Sequence, residues 1–254
     1  MATGRTHPKY TRVYIDGYDM SGYSRSIGPL SHTIDEGPDD YFTATVIGMV
    51  PGQSVISIGT LNGLFDNTAS SGLHVIMEGA GVARDVMIPI GIQAAPADND
   101  PVFACQLNQL GYHGQPNANP VSASIPFGNT SHLADHLVYS RPWGVLLHAN
   151  AAATAANSAT GLDQTAQTTA GGFMMYQVFA GDGTAAIKVQ DADTNQDGSF
   201  SDLLTSGVID CSSPTSGVVA LAHGSTVERY VRWQIALGDA NTVTFAISFH
   251  RYLF

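Results

Sequence analysis

Alternation of apolar and polar residues with a period of two runs through most of this chain. In residues 242–249 Val243, Phe245, Ile247 and Phe249 fall on one side and Thr244, Ala246 and Ser248 on the other. That is the signature of a sandwich strand with one buried face and one wet or lightly packed face. The same reading predicts strands over residues 11–15, 41–48, 54–60, 83–90, 101–110, 121–127 and 143–148. A second series covers 172–179, 185–190, 208–211, 217–221, 229–236 and 242–249. In 41–48 the inward set is Phe42, Ala44 and Val46. Only residues 70–78 have helical spacing, with Leu73 and Met77 four apart beside Ile76, serines placed to cap the start, and glycines at 79 and 81 to stop it.

Between the two series, residues 149–172 are rich in Ala, Thr, Ser and Gly and poor in large apolar side chains. Composition of that kind reads as a linker or a loosely held surface excursion. The chain therefore divides into a β-domain over 1–148 and a β-sandwich over 149–254, the latter entered through the 149–172 lead-in. A length of 254 residues accommodates two such units.

Charge alters the picture in one respect. Ten Lys and Arg stand against 21 Asp and Glu, a net charge of −11, and only 12% of residues are charged. Both halves are acidic and the cations are scattered singly, so nothing in the sequence resembles a phosphate-gripping surface. An acidic wall repels DNA, which suits a conduit as well as it suits simple solubility. The two cysteines, Cys105 and Cys211, sit in or beside apolar segments and read as buried free thiols. No run of 18 apolar residues exists and Met1-Ala2-Thr3-Gly4-Arg5 lacks the apolar core of a signal peptide, so assembly in a cytoplasm is expected, with no membrane partner.

Candidate chemistry is sparse. Asp193, Asn195, Asp197 and Gly198 fit the first positions of a calcium loop of EF-hand type, but position twelve is Leu204 where a bidentate acid belongs. A hairpin turn built from Asp, Asn and Gly accounts for the same letters. His132 and His136 are four apart, yet Leu133 stands where a zinc-peptidase motif needs Glu. Arg229, Tyr230, Arg232 and Trp233 interleave cations with aromatics, but alternation sends Trp233 inward with Val231 and Ile235 and leaves Tyr230 and Arg232 facing out. No nucleophile elbow, phosphate loop or dinucleotide fingerprint occurs. The expectation is a protein with neither an enzymatic activity nor a cofactor.

Three stretches of the first half carry a resemblance: Val13-Tyr14-Ile15-Asp16-Gly17-Tyr18-Asp19-Met20-Ser21-Gly22-Tyr23, then residues 51–67 from Pro51-Gly52-Gln53 to Phe65-Asp66-Asn67, then Leu73-His74-Val75-Ile76-Met77-Glu78. In their order of early strand, long hairpin, aromatic-Asp turn and short helix they resemble the tail tube proteins of long-tailed (siphovirus-type) bacteriophages. The second half resembles the accessory sandwich often appended to such proteins, and phage capsid cement proteins carry similar sandwiches.

The resemblance implies a mainly β fold. Its N-terminal part would be a tail-tube-type sandwich or barrel with one short helix and a long hairpin. A C-terminal sandwich of immunoglobulin or jelly-roll type would follow. It also implies a virion tail subunit that forms stacked, hexameric rings around a DNA channel, meeting terminator, tape measure and distal tail proteins, with DNA only as transient cargo. Under it Asp35, Glu36, Asp39 and Asp40, four carboxylates in six residues, become the tip or flank of the long hairpin, lining the lumen or touching the next ring; a plain solvated turn remains the alternative. Asp16, Tyr18 and Asp19 become the turn that positions a neighbouring subunit. A capsid cement protein or a host-glycan-binding virion module is the alternative function.

Overall fold

The protein is described by a computed structural model covering residues 6–39, 48–128, 141–157 and 160–252, with backbone alone for 35–39 and 48–54. The first half supplies β1 (Tyr14–Ile15), β2 (Tyr18–Asp19), β3 (Ser24–Ser26), β4 (Ser31–Asp39), β5 (Gly48–Ser57), β6 (Thr60–Leu64), α1 (Leu73–Met77), β7 (Val82–Pro89), β8 (Pro101–Gln109), β9 (His113–Gln115) and β10 (Ser122–Pro126). The remainder supplies β11 (Trp143–Ala153), β12 (Leu162–Asp163), β13 (Gly172–Gly181), β14 (Thr184–Ala192), β15 (Ser201–Thr205), β16 (Ile209–Asp210), β17 (Thr215–Ala220), β18 (Tyr230–Leu237) and β19 (Val243–Arg251). The fold is mainly β, as the alternation predicts.

An eight-stranded sheet in the order β17-β13-β19-β11-β8-β7-β1-β2 runs through both halves. A four-stranded sheet, β3-β6-β10-β9, covers its N-terminal part, and β12-β18-β14-β15 covers its C-terminal part. Each covering sheet closes a sandwich. On the N-terminal side Val86, Ile88, Phe103, Cys105 and Leu107 from the large sheet meet Leu61, Ile125, Leu73 and Met77. On the C-terminal side Met174, Val178, Phe245 and Ile247 meet Ile187, Val189, Val231 and Ile235. Inner faces packed in this way are the normal source of sandwich stability.

The large sheet also buries its other face. Tyr14, Met87, Val102, Ala104, Leu146, Met175 and Ala246 form a third core. They do so because the sheet curls until β1, near one end of the order, meets β13, near the other; the Tyr14 and Phe179 rings lie edge to face at 4.9 Å. Side-chain hydrogen bonds, not a strand ladder, close the seam. Gln177 Oε1 accepts from Gly17 N at 2.6 Å and Gln177 Nε2 donates to Asp85 O at 3.0 Å. Ser216 Oγ donates to Asp85 Oδ2 at 2.8 Å.

This curl overturns the wet or lightly packed face expected for residues 242–249. Ala246 and Ser248 do not face water but are fully buried, as is His250. Their small size marks a tight interior where two parts of one sheet approach. The boundary expected at residue 148 falls inside β11, whose Trp143–Val145 pair with β8 while Ala151, Ala152 and Ala153 pair with Phe245, Thr244 and Val243 of β19. Register shifts around His148 bend the strand there. The Ala-rich stretch 149–153 is thus sheet, and Leu162–Asp163 pairs with β18.

The helix is shorter than its spacing predicts. Gly72 is its N-cap and no side chain caps it, whereas Ser70 has a positive φ of 66°. The loop wraps so closely that a Cβ at Gly72 would lie 2.6 Å from Asp66 O. The strand expected over 41–48 falls, except for Gly48, outside the described residues.

Candidate assembly surfaces

Strands β4 and β5 form a hairpin that pairs Ser31 with Ser57 at its root and Asp39 with Gly48 at its far end, with a register shift between Ile34 and Glu36. Neither strand joins another sheet among the described residues. Nine extended residues reach roughly 30 Å. An isolated two-stranded hairpin is marginal in water, and both of its edges present unpaired backbone groups. Its root is firm, because Ile56 and Ile58 are buried in the N-terminal core. Asp35, Glu36 and Asp39 sit on β4 itself, so the acidic segment is paired strand up to Asp39 and not a loop; Asp40 lies outside the described residues.

The turn between β1 and β2 is made by Asp16 and Gly17, both at positive φ (52° and 83°), the backbone that a two-residue hairpin turn demands. It is fastened inside its own chain. Arg84 Nη1 donates to Asp16 Oδ2 at 2.8 Å and Asp85 N to Asp16 Oδ1 at 2.9 Å. A Cβ on Gly17 would come within 2.6 Å of Val178 O. Tyr18 packs against the N-terminal core. Asp19 is exposed and its Oδ1 accepts from Ser21 N at 2.9 Å.

The residues fitting a calcium loop fold over the outside of the C-terminal sandwich. Asn195 Oδ1 accepts from Gly161 N at 2.7 Å and its Nδ2 donates to Gly161 O at 3.0 Å. Asp197 Oδ1 accepts from Arg232 Nη1 at 2.6 Å. Two of the three candidate ligands are thereby engaged by the protein itself. Asp193 is exposed. Among the described residues no group of three or more His, Cys, Asp or Glu side chains converges as a metal site. The same loop overturns the expectation that Arg232 faces out: it is buried, its guanidinium 4.2 Å from the Phe200 ring centroid. Trp233 is packed on His148 at 4.3 Å and Phe245 at 5.5 Å.

Burial shifts several titratable groups inside the fold toward their neutral forms. His250, stacked on Phe173 at 4.4 Å and 2.9 Å from Ser248 Oγ, has its pKa depressed to about 3, chiefly by desolvation. His148 is lowered by desolvation against a partial opposing pull from Asp98. Asp85 is raised by its burial, which outweighs the bonds from Ser216 and Gln106. Cys105 and Cys211 are buried and form no disulfide, with burial pushing both thiols up, away from nucleophilic thiolate character. His74 lies 3.5 Å from Glu78 on and beside α1, and His132 and His136 lie outside the described residues.

No family model matches the chain, and no curated protein matches it. The crystal structure of the SPP1 Dit protein, described as a paradigm of the hub adsorption apparatus in phages infecting Gram-positive bacteria, is similar at a TM-score of 0.32 and 9% identity, covering 96% of this chain and 99% of that one. A likeness that slight carries no inference about fold or function. No helix of the described residues is long and apolar enough to cross a membrane.

Proposed function

We propose that this chain is a structural virion protein, the tail tube subunit of a long-tailed phage, which self-assembles into stacked rings, six subunits to a ring, forming a channel for DNA. The observation that carries the reading is the β4–β5 hairpin, which projects from a well-packed sandwich with no third strand to back it among the described residues. A structure that is marginal alone gains its stability from a neighbour, and a ring in which each subunit's hairpin lies on the next supplies one at every position. The order of strand, hairpin, turn and helix that resembles tail tube proteins supports the same reading, as does a net charge of −11 that leaves DNA free to slide.

On this reading Tyr18 and Asp19, on the edge strand β2, contact the neighbouring subunit while Asp16 holds the turn. Asp35, Glu36, Asp39 and Asp40 meet the lumen or the adjacent ring. Partners are further copies of this chain and the terminator, tape measure and distal tail proteins. The protein works in the virion tail after assembly in the host cytoplasm and performs no catalysis.

Negative-stain electron microscopy of the purified protein across a concentration series tests this. Hollow tubes or six-fold rings are expected. Persistent monomers, dimers or trimers would overturn the tube reading in favour of a capsid cement or glycan-binding module.

A further inference from the structure

An acidic chain with few cations uses most of them internally. Among the described residues Arg84, Lys188, Arg229 and Arg232 pair with Asp16, Asp202, Asp163 and Asp197. Arg251 donates to Thr168 Oγ1 and to the carbonyls of Val227 and Glu228. Arg141 lies near His32 and His250, whose pKa values its charge helps to lower. The other three described cations, Lys9, Arg12 and Arg25, make no ion pair with a described carboxylate and all line one groove of about 650 Å³.

The groove is built, not incidental. Its apolar floor is Ile27, Leu30 and Ile88. The wall bearing Lys9 and Arg12 is pinned by Thr11 N to Pro8 O at 3.0 Å, Arg12 N to Pro89 O at 3.0 Å and Val13 N to Ser21 Oγ at 2.9 Å. Arg12 Nη1 donates to the carbonyls of Lys9 at 3.0 Å and Thr11 at 3.1 Å, which fixes the guanidinium with no acid opposite it among the described residues. Lys9 Nζ rests 4.7 Å from the centroid of the Tyr10 ring. A cationic rim over an apolar floor fits an acidic polypeptide that also carries aliphatic side chains.

We infer that this groove receives strand β4 of a second copy of the chain, whose Ile34, Asp35, Glu36 and Asp39 match its floor and rim. This deepens the self-assembly reading and rests on it. The occupant cannot be the chain's own β4. Leu30 of the floor immediately precedes that strand, so Asp35 and Asp39 lie roughly 16 and 30 Å along an extended backbone from the groove they would fill. A subunit that offers the groove at the root of its hairpin and acids along it makes a head-to-tail contact, the kind that closes into rings.

Two full-length charge-reversed proteins test the contact by sedimentation velocity, with thermal melts to verify folding: Lys9→Glu/Arg12→Glu/Arg25→Glu and Asp35→Lys/Glu36→Lys/Asp39→Lys. Each alone is expected to sediment as a monomer where the wild type assembles, and an equimolar mixture regains assembly. If the groove variant melts like the wild type and still assembles alone, or if the mixture stays monomeric, the contact is overturned while self-assembly stands. Should the reversals fail to fold, the neutral Lys9→Gln/Arg12→Gln/Arg25→Gln protein replaces the first. If the wild type never assembles, the self-assembly reading fails by itself. The groove is then read with a fluorescent peptide of residues 33–40, expected to bind the wild type roughly tenfold or more tighter than the neutral groove variant; equal or absent binding overturns the groove.

Discussion

The two sandwiches share a sheet, yet they treat their charges and edges differently. In the C-terminal one Lys188, Arg229 and Arg232 each meet a carboxylate of the same sandwich, and the 193–199 loop lies over the outer sheet. The N-terminal one sends a hairpin out without backing and leaves Lys9, Arg12 and Arg25 around an open groove. Satisfied charges and covered faces belong to a part that stabilises the subunit. On the proposed function, open ones belong to a part that waits for a partner, and the contrast puts assembly in the first half and stability in the second.

The largest expected effect tests whether the halves are one unit. Phe245→Ala, emptying the C-terminal core, is expected to cost about 3–5 kcal/mol, and Leu73→Ala, emptying the N-terminal core, about 2–5 kcal/mol. Because the eight-stranded sheet runs through both, calorimetry should show one transition that both substitutions lower; two transitions, each moved by one substitution, would separate the halves. Next is the seam. Gln177→Ala strips the buried Gly17 N of its acceptor and Asp85 O of one donor, and should cost about 1–3 kcal/mol in chemical denaturation.

His250 gives a smaller, graded effect. Its folded pKa of about 3 lies below the ordinary histidine value, so the folded state binds fewer protons than the unfolded. Its contribution is therefore full above roughly pH 6.5 and is lost as the pH falls toward about 3, with a slope of up to about 1.4 kcal/mol per pH unit. His148 shifts in the same direction, whereas the raised Asp85 works against it at the acid end. His250→Gln should flatten the dependence of stability on pH between roughly 6 and 4, followed by urea titration at each pH. The smallest effect is at Lys188, paired with a half-exposed Asp202 at 2.5 Å; Lys188→Ala should change stability by only about 0–1 kcal/mol. A larger loss there would make the outer face of the C-terminal sandwich more than a solvated surface.

Much of the architecture is legible from residue order. Strands β7, β8, β10, β13, β14, β18 and β19 lie within a residue or two of their predicted ends, because a two-residue repeat held over five or more positions suits a pleated strand and puts apolar residues all round a helix. β12 and the later part of β11 are not legible, since Ala, Thr and Gly carry no periodic signal and their strand state comes from pairing with β18 and β19. β4 is not predicted as a strand in the sequence, where its acidic part reads as a hairpin tip or flank or a solvated turn because its charge outweighs any sign of pairing. The Asp193–Asp197 pattern is legible as a turn, but not as the cover over Arg232. Lys9, Arg12 and Arg25 leave no sequence signal, being single cations 3 and 13 residues apart whose convergence depends on the segment before β1 running beside the end of β7 and on β3 lying in the covering sheet.

The amino-acid sequence by itself determined that the chain is mainly β, acidic, and provided with large and small residues in alternation. Those follow from composition and from the two-residue repeat of a strand, which are local properties. Only the tertiary structure decided that the small-residue face of β19 is buried, that the halves share one sheet, and that three scattered cations line one groove. Each depends on how far the sheet curls, and curl is set by twist, bulges and side-chain volume summed over strands far apart in the chain.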